Sequence, residues 1–260
     1  WNNQCSPTIK NSTIINYGGW VFNGGDFANS AIINFQNCII KGRNNDQAFV
    51  GPYNITYSAV SPAIGGGTNL ALTNQEWANM FVDTTLYNYS LTDYSPAIGA
   101  GTATGAPTTD LDGNIRPNPE GSNPDMGAYE NSQPSQRPKA GSIADGLGSD
   151  VDWSNSNSSI SANWAPFTDN DAVTYEYAVG TSINALADVL DWTSNSANTS
   201  VTKAGLTLTE GSTYYVSVRA TDTDNQLSDT TTTDGITIDT DAPVISEVIE
   251  GAGNAPITVT

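Results

Sequence analysis

The sequence predicts an all-β chain that contains two different kinds of β domain. In the first sixty residues, short apolar runs recur at 9–14, 35–40 and 55–60, with offsets of 26 and then 20 residues. An irregular period of this size is typical of a β-solenoid, in which each coil stacks on the one before it. From residue 138 onward, apolar and polar residues alternate within separate short runs, which is the pattern of a β-sandwich.

Two polar features of the first half have a structural interpretation. Asn11 and Asn37 occupy equivalent positions in the repeat, so we expect them to stack inward and to bond along the stack rather than to bind a ligand. In the segment 73–79, Thr73 is followed three residues later by Glu76, which is the pattern of a capping box. The sequence therefore predicts one short helical turn there.

The stretch 94–130 is dense in glycine and proline, so it can be neither a long helix nor a central strand. It contains three motifs in order: S-P-A-I-G-A-G at 95–101, D-L-D-G-N-I-R-P at 110–117 and P-D-M-G-A-Y-E at 124–130. Together with M-F-V-D at 80–83, this stretch closely resembles the C-terminal closing motif of bacterial cell-surface right-handed parallel β-helix proteins. Gly99 departs from that motif, because an Asp is common at its position.

The second half resembles a fibronectin type III domain. Trp164 lies in an early run of alternating residues, Tyr175 and Tyr177 follow in a Tyr-x-Tyr strand, and L-T-E-G-S-T-Y-Y-V-S-V-R-A spans 208–220. In this family, Tyr214 or Tyr215 is placed to form a tyrosine corner. The resemblances imply β-helix coils and closing cap at 1–132, a linker at 133–138, a fibronectin type III-like sandwich at 139–240 and the start of a further β module at 241–260.

Composition excludes several classes of function. The chain has 27 acidic and 8 basic residues, no histidine and a net charge of −19, so its field would repel nucleic acid and anionic membrane surfaces. Without histidine there is no Ser-His-Asp or Cys-His nucleophile system. Lys41 and Arg43 beside Asp46 are the only basic cluster of the coils, and we favour a solvated turn over a lyase site. Enzymatic activity is therefore uncertain, and a non-catalytic role is favoured.

Three groups of residues are candidates for a site. Tyr17, Trp20 and Phe22 could stack on sugar rings, or they could cover the flank of the coils. Asp222, Asp224, Asn225 and Asp229 form an oxygen-rich segment that suits calcium; further acidic runs occur at 169–171 and at 239 and 241. Cys5 and Cys38 could form a disulfide in an exported protein, or remain two inward-facing thiols.

The resemblances imply a structural or adhesive segment of a large secreted or cell-surface multidomain bacterial protein, as in large surface proteins of Bacteroidetes. Its partners would be neighbouring modules of the same chain and an extracellular polysaccharide or surface protein. No apolar run approaches the ~18 residues of a membrane span. Both ends fall within strand-like sequence, so we expect a piece of a longer exported polypeptide.

Two other functions are also consistent with the sequence. The chain could be the non-catalytic tail of a β-helix polysaccharide lyase or glycoside hydrolase. It could also be a carbohydrate-binding module that uses Trp153, Trp164 and Trp192, which requires at least one exposed indole.

Overall fold

The computed structural model describes residues 6–16, 22–23, 32–42, 49–50, 52–61 and 67–242. Within these ranges the chain is built from short β-strands, with one α-helix and one 3-10 helix, so the predicted all-β class is confirmed. Two compact units are present, one of Trp1–Gly141, Pro166–Glu176 and Arg219–Thr231 and one of Ser142–Ala165, Tyr177–Val218 and Thr232–Thr260. The domain boundaries predicted from the sequence remain a prediction.

The early strands of the first unit pair in parallel across successive repeats. One sheet contains β1 (Thr8–Lys10), β4 (Ile33–Gln36) and β7 (Tyr53–Thr56); a second contains β2 (Thr13–Ile15), β5 (Ile39–Lys41) and β8 (Ala59–Ser61); β3 (Phe22–Asn23) pairs with β6 (Phe49–Val50). Ile9 lies opposite Phe35, and Phe35 lies opposite Ile55. This register confirms the two offsets predicted from the sequence.

Consecutive residues of β5 are buried in different apolar clusters. Ile40 packs with Phe35, Cys38 and Val60, whereas Ile39 belongs to a cluster that includes Trp77 and other residues from the segment after the strands. Because successive side chains of a strand point to opposite faces, the second sheet is covered on both sides. This explains why both isoleucines are fully buried.

The predicted helical turn is confirmed as α1 (Asn74–Asn79). The Thr73 N–H donates to Glu76 Oε2 at 2.6 Å, and the Glu76 N–H donates to Thr73 Oγ1 at 3.3 Å. This reciprocal capping box satisfies two donors at the start of the helix and places Trp77 in the core. The chain continues through β9 (Phe81–Asp83), the 3-10 helix Thr84–Leu86 and β10 (Asn88–Leu91), which pairs antiparallel with β9.

The predicted asparagine stack is confirmed, and it also fastens the segment 95–131, which we call the cap. Both Asn11 and Asn37 adopt positive φ, at 41° and 55°, and the Asn37 Nδ2 donates to Asn11 Oδ1 at 3.4 Å. The Asn37 amide also exchanges bonds with the Thr102 backbone, donating to its carbonyl at 2.8 Å and accepting from its N–H at 2.9 Å. The Gly127 N–H donates to the Asn37 carbonyl at 2.8 Å. One asparagine thus joins the parallel strands to two parts of the cap.

The interior of the cap contains a cluster of one base and two acids. Arg116 Nε lies 2.9 Å from Glu130 Oε2, with both side chains essentially inaccessible, although the N–H is not aligned as a hydrogen bond. Asp125 is buried beside them and accepts from the Gly99 N–H at 2.8 Å and from the Asn131 N–H at 2.6 Å. Burial, and secondarily the Glu130 carboxylate, raise the pKa of Asp125 to about 8. The guanidinium therefore pairs with Glu130, whereas backbone N–H groups satisfy the Asp125 carboxyl group.

The backbone geometry at position 99 explains why a glycine lies there. Its φ is 61°, a left-handed conformation that favours glycine, and a Cβ at this position would collide with the Pro134 carbonyl oxygen. The backbone N–H of Gly99 donates a hydrogen bond to the Asp125 carboxyl group.

Strands after residue 142 form two sheets. One has the order β11 (Ile143–Asp145), β13 (Ser159–Trp164), β16 (Ser200–Ala204); the other has the order β12 (Trp153–Ser154), β19 (Ile236–Ile238), β17 (Thr213–Thr221), β14 (Thr174–Gly180), β15 (Leu190–Ser196), with β18 (Thr231–Thr232) beside β17. The predicted alternation in β13 is confirmed, since Ile160, Ala162 and Trp164 are buried.

The Tyr214 hydroxyl accepts from the Thr209 N–H at 2.9 Å, a local bond of the kind predicted for that tyrosine. Among the described helices, none is long and apolar enough to cross a bilayer.

We predict that Asn37→Ala lowers the free energy of unfolding of the first unit by about 3 kcal/mol. The change removes three hydrogen bonds, at roughly 1 kcal/mol each, and replaces asparagine, which tolerates the left-handed conformation, with alanine, which tolerates it less well. Asn37→Gly should recover about 1 kcal/mol, because glycine tolerates that φ. Urea unfolding followed by Trp77 fluorescence measures these differences.

As a matched control, Asn54→Ala removes an exposed Asn34–Asn54 contact and should change the free energy of unfolding by less than about 0.5 kcal/mol. Equal losses for Asn37→Ala and Asn54→Ala would contradict the role given to Asn37.

We also predict that the first unit loses stability as pH rises through 8. The folded protein keeps a proton on Asp125 up to about pH 8, whereas the unfolded chain releases it near the usual carboxyl pKa, so the folded state binds more protons in between. The slope approaches one proton, or about 1.4 kcal/mol per pH unit. Burial raises the pKa of Asp145 and Asp169 only to about 6, so the interval between about pH 7 and 8 reports on Asp125.

The variant Asp125→Asn cannot titrate, so urea unfolding at several pH values should show this slope abolished, whatever the variant's absolute stability. Asp112→Asn, at an exposed carboxylate of the cap, should keep the wild-type slope. An unchanged slope in Asp125→Asn would show that another group carries the pH dependence.

Candidate metal centre

Three carboxylates of the second unit meet in one place, which we call the Asp145 centre. Asp145 ends β11, Asp150 closes the loop that follows it, and Asp234 directly precedes the turn into β19. One oxygen from each of the three side chains lies within 4.8 Å of the others. Asp145 is buried, while Asp150 and Asp234 are exposed, so the group is open to solvent on one side. This arrangement can hold a metal ion.

Local hydrogen bonds fix the loop that carries the first two acids. The Asp145 N–H donates to Asp150 Oδ1 at 2.8 Å, which closes the loop on itself. The Asn163 side chain in β13 donates to the carbonyls of Gly146 and Gly148, both at 3.0 Å. Asp150 is therefore held close to Asp145 even without an ion.

A glycine brings the third acid into position. Gly235 adopts a φ of 109°, and a Cβ there would crowd the ring of Tyr215, so no other residue fits without displacement. The Gly235 N–H donates to Asp145 Oδ2 at 3.1 Å. This bond ties the turn before β19 to β11 and places the Asp234 side chain beside Asp145.

The electrostatics of the Asp145 centre favour a cation. Asp145 is 0% exposed, and its Oδ1 is buried without a hydrogen-bond partner. Burial raises the pKa of Asp145 to about 6, the Thr233 hydroxyl and the Gly235 N–H oppose that rise, and the Asp150 and Asp234 carboxylates add to it. Lys203 is the only Lys or Arg in the sequence of this unit. A bound divalent ion would supply the missing positive charge and the missing partner.

Sequence reasoning did not single out this centre. Its local signal is D-G-L-G-S-D at 145–150, and a second Asp-Gly pair occurs at 234–235. The two segments are far apart in the chain and meet because β12 pairs with β19, while β11 and β13 hold the loop. The spacing within either segment alone does not reveal a third ligand.

The residues predicted to bind calcium lie in the first unit and separate into two groups. Asp222 Oδ1 accepts from the N–H groups of Asp224 at 2.9 Å and Gln226 at 2.8 Å, and Asn225 in the same turn has a φ of 63°. Asp229 instead lies 3.3 Å from Arg137 and accepts from the Tyr94 hydroxyl. The turn gathers Asp222 and Asp224, whereas Asp229 is engaged with a base. Calcium binding here stays a prediction.

Other predicted site residues fall largely outside the described part of the chain. Tyr17, Trp20 and Cys5 lie outside it, and Phe22 is described only through its backbone in β3. Cys38 is fully buried, and its Sγ lies 3.3 Å from the Gln36 carbonyl and 3.5 Å from that of Ile9. The sugar-stacking site and the Cys5–Cys38 disulfide therefore stay predictions.

An exposed indole lies beside the Asp145 centre. Trp153 is 64% exposed, whereas Trp164 is buried, so the requirement of at least one accessible indole is met. Trp153 lines an open groove of about 600 Å³ in the second unit. The apolar residues Leu147 and Val151 lie on the same groove, together with the polar side chains of Asn155, Ser159, Ser161 and Asp239.

Comparisons with known proteins identify no family. No family model and no curated protein matches the chain. Among solved structures, it is similar to an α-L-rhamnosidase from Dictyoglumus thermophilum, with a TM-score of 0.31, 16% identity, and coverage of 38% of this chain and 12% of that one. It is also similar to the twitchin kinase region from C. elegans, with a TM-score of 0.30, 15% identity, and coverage of 44% and 19%. The chain spans under a fifth of either structure, and likenesses this weak carry no argument about fold or function.

We predict that a divalent cation stabilises the second unit through the Asp145 centre. An ion that binds only the folded state adds about 2.7 kcal/mol when its free concentration is one hundred times Kd. Thermal unfolding with and without the ion, followed by the fluorescence of buried Trp164, measures this gain.

Asp234→Asn keeps the shape of the side chain and should lose most of the gain. Asp191→Asn, at an exposed residue of β15, should retain it. A gain of the same size in Asp234→Asn and in the wild type would place the ion elsewhere.

Proposed function

We propose that this chain is a structural and adhesive segment of a large secreted or cell-surface bacterial protein. In this proposal, the first unit is the C-terminal end of a right-handed parallel β-helix with its closing cap, and the later strands are a fibronectin type III-like sandwich. The observation that carries the proposal is the parallel register of the early strands, in which Ile9, Phe35 and Ile55 align across successive repeats. Stacked strands of this kind give a stiff element whose length grows with the number of repeats.

The cap supports this interpretation because it covers the second sheet of the coils. A row of backbone and asparagine bonds at Asn11 and Asn37 joins the cap to the coils, and the Ala128 N–H donates to Thr13 Oγ1 at 3.0 Å. These contacts protect apolar surface that stacked strands would otherwise expose. A closed, water-stable rod is what a spacer outside the cell requires.

The groove beside Trp153 supports contact with a carbohydrate. An exposed indole offers a flat apolar face on which a sugar ring stacks, and Asn155 and Ser159 offer hydrogen-bonding groups on the same groove. Among the described residues, Asp239 is the only charged one that lines it, so we propose neutral rather than anionic polysaccharides as ligands.

We further propose that the ion of the Asp145 centre is calcium. All three candidate side chains are carboxylates, which are hard oxygen ligands, and two of them are exposed and leave room for water and backbone oxygens. Calcium accepts six to eight such ligands in flexible geometry, whereas magnesium requires a smaller and more regular octahedron. The ion would stiffen the loop that carries Leu147 into the groove.

Affinity electrophoresis of the full chain through gels that contain neutral or acidic polysaccharides tests the proposal. We expect calcium-dependent retention on at least one neutral polysaccharide, lowered tenfold or more in affinity by Trp153→Ala. Leu111→Ala, at an exposed apolar residue of the first unit, should not change retention.

The same polysaccharides are incubated with the protein while the ultraviolet absorbance of unsaturated products is followed. Absorbance that grows with time and is lost in Lys41→Ala would make the chain part of a lyase and overturn the proposal. The absence of both retention and product would leave only a spacer role and contradict the adhesive one.

A further inference from the structure

One face of the early parallel strands carries a regular array of hydrogen-bonding side chains. β1, β4 and β7 pair in register without a shift, so residues at equivalent positions form straight rows across the three strands. Ile9, Phe35 and Ile55 form a row that points inward, and Phe35 is only 1% exposed. Because side chains alternate along a strand, the rows on either side of this one point outward. We call these two rows the polar face; they are Thr8–Asn34–Asn54 and Lys10–Gln36–Thr56.

The amides of the polar face are open to a ligand. Each of the three strands contributes two side chains to this face, and none of the six is buried. The Asn54 Nδ2 donates to Asn34 Oδ1 at 3.4 Å, which uses one donor of the first amide and one acceptor site of the second. An amide has two donors and an oxygen with two lone pairs, so both side chains keep further hydrogen-bonding capacity.

The polar face differs in charge from the rest of the chain. Its strands, T-I-K, I-N-F-Q and Y-N-I-T, contain no acid, although the chain has 27. Lys10 is the one charged residue of the six, and its Nζ donates to the Gly105 carbonyl of the cap at 2.9 Å. A polyanion, or a second copy of a chain with a net charge of −19, would be repelled by the protein as a whole. These charges favour a neutral partner.

The spacing of the rows fits an extended sugar polymer. Neighbouring strands of a sheet lie about 4.8 Å apart, which is close to the length of one sugar unit in an extended chain. A polymer that crosses the strands along a row therefore presents one sugar to each strand. An amide offers a donor and an acceptor side by side, and this pair matches two neighbouring hydroxyl groups of a sugar.

We propose that the polar face binds an extended neutral polysaccharide laid across β1, β4 and β7, with the amides of Asn34, Gln36 and Asn54 as its main hydrogen-bonding groups. The inference deepens the proposed function and rests on it for the class of ligand. It gives the first unit a polysaccharide contact of its own, separate from the groove at Trp153 in the second unit.

Affinity electrophoresis of the full chain in gels that contain hydroxyethyl cellulose, xyloglucan or galactomannan tests the inference in a Trp153→Ala background, which disables the groove. We expect residual retention on at least one of these neutral polymers. Adding Asn54→Ala or Gln36→Ala should weaken that retention about fivefold each, which is the worth of one hydrogen bond. Neither residue is buried, so a loss of retention does not reflect unfolding. Asn88→Ala, at an exposed amide of β10, is the matched control and should leave retention unchanged.

The possible outcomes separate this inference from the groove. Because the polar face contains no carboxylate, residual retention should persist in a chelator. Retention that disappears completely in Trp153→Ala would overturn the inference and leave the groove intact, whereas a wild-type chain that no neutral polymer retains would contradict both. Residual retention that Asn54→Ala and Gln36→Ala leave unchanged would overturn the inference as well. So would residual retention on acidic polymers alone that falls with salt, since it would reflect attraction to lysine.

Competition by soluble oligosaccharides of the retained polymer gives a second readout. One sugar per strand predicts that inhibition of the Trp153→Ala protein rises from one sugar unit to three and then levels off, because three strands form the described sheet. A single sugar that competes as well as a trisaccharide would contradict the alignment of the polymer across the strands.

Discussion

The structure depends on how a chain with 27 acids and 8 bases buries carboxylates. Where a base is available inside the protein, as Arg116 is in the cap, it lies against one acid, and backbone N–H groups satisfy a second. Where no base is available, as at Asp145 and around Asp222, buried carboxylate oxygens lack partners. Burial of an uncompensated charge costs several kcal/mol, so these places require either a proton or a cation. The same shortage of bases therefore links the buried cluster at Arg116 to the candidate ion site at Asp145.

The contacts between the early parallel strands and the cap are made by neutral groups. Asn37 adopts a left-handed conformation that lets its amide face both Asn11 and the Thr102 backbone, so donors and acceptors match without any charge. Residue 127 then binds the Asn37 carbonyl. One residue thus joins two successive repeats of the parallel strands to the cap, which covers one face of the second sheet.

The features that the sequence predicted are those set by local or periodic patterns. Apolar runs with offsets of 26 and 20 residues predicted the register of β1, β4 and β7, because stacking requires apolar residues at equivalent positions. The Thr73–Glu76 spacing predicted the start of α1 for the same local reason. The Asp145 centre was missed, because its third ligand comes from a distant turn positioned by Gly235. The acidic segment near Asp222 was recognised, but the pairing of Asp229 with Arg137 depends on tertiary contacts that spacing does not encode.

The central claim is that buried, partnerless carboxylate oxygens in this chain are ligands for divalent cations. Crystals grown with calcium and then exchanged into manganese allow the ions to be located directly by anomalous scattering. The account predicts a peak between Asp145, Asp150 and Asp234. Ordered water at that position, with no anomalous peak, would contradict it.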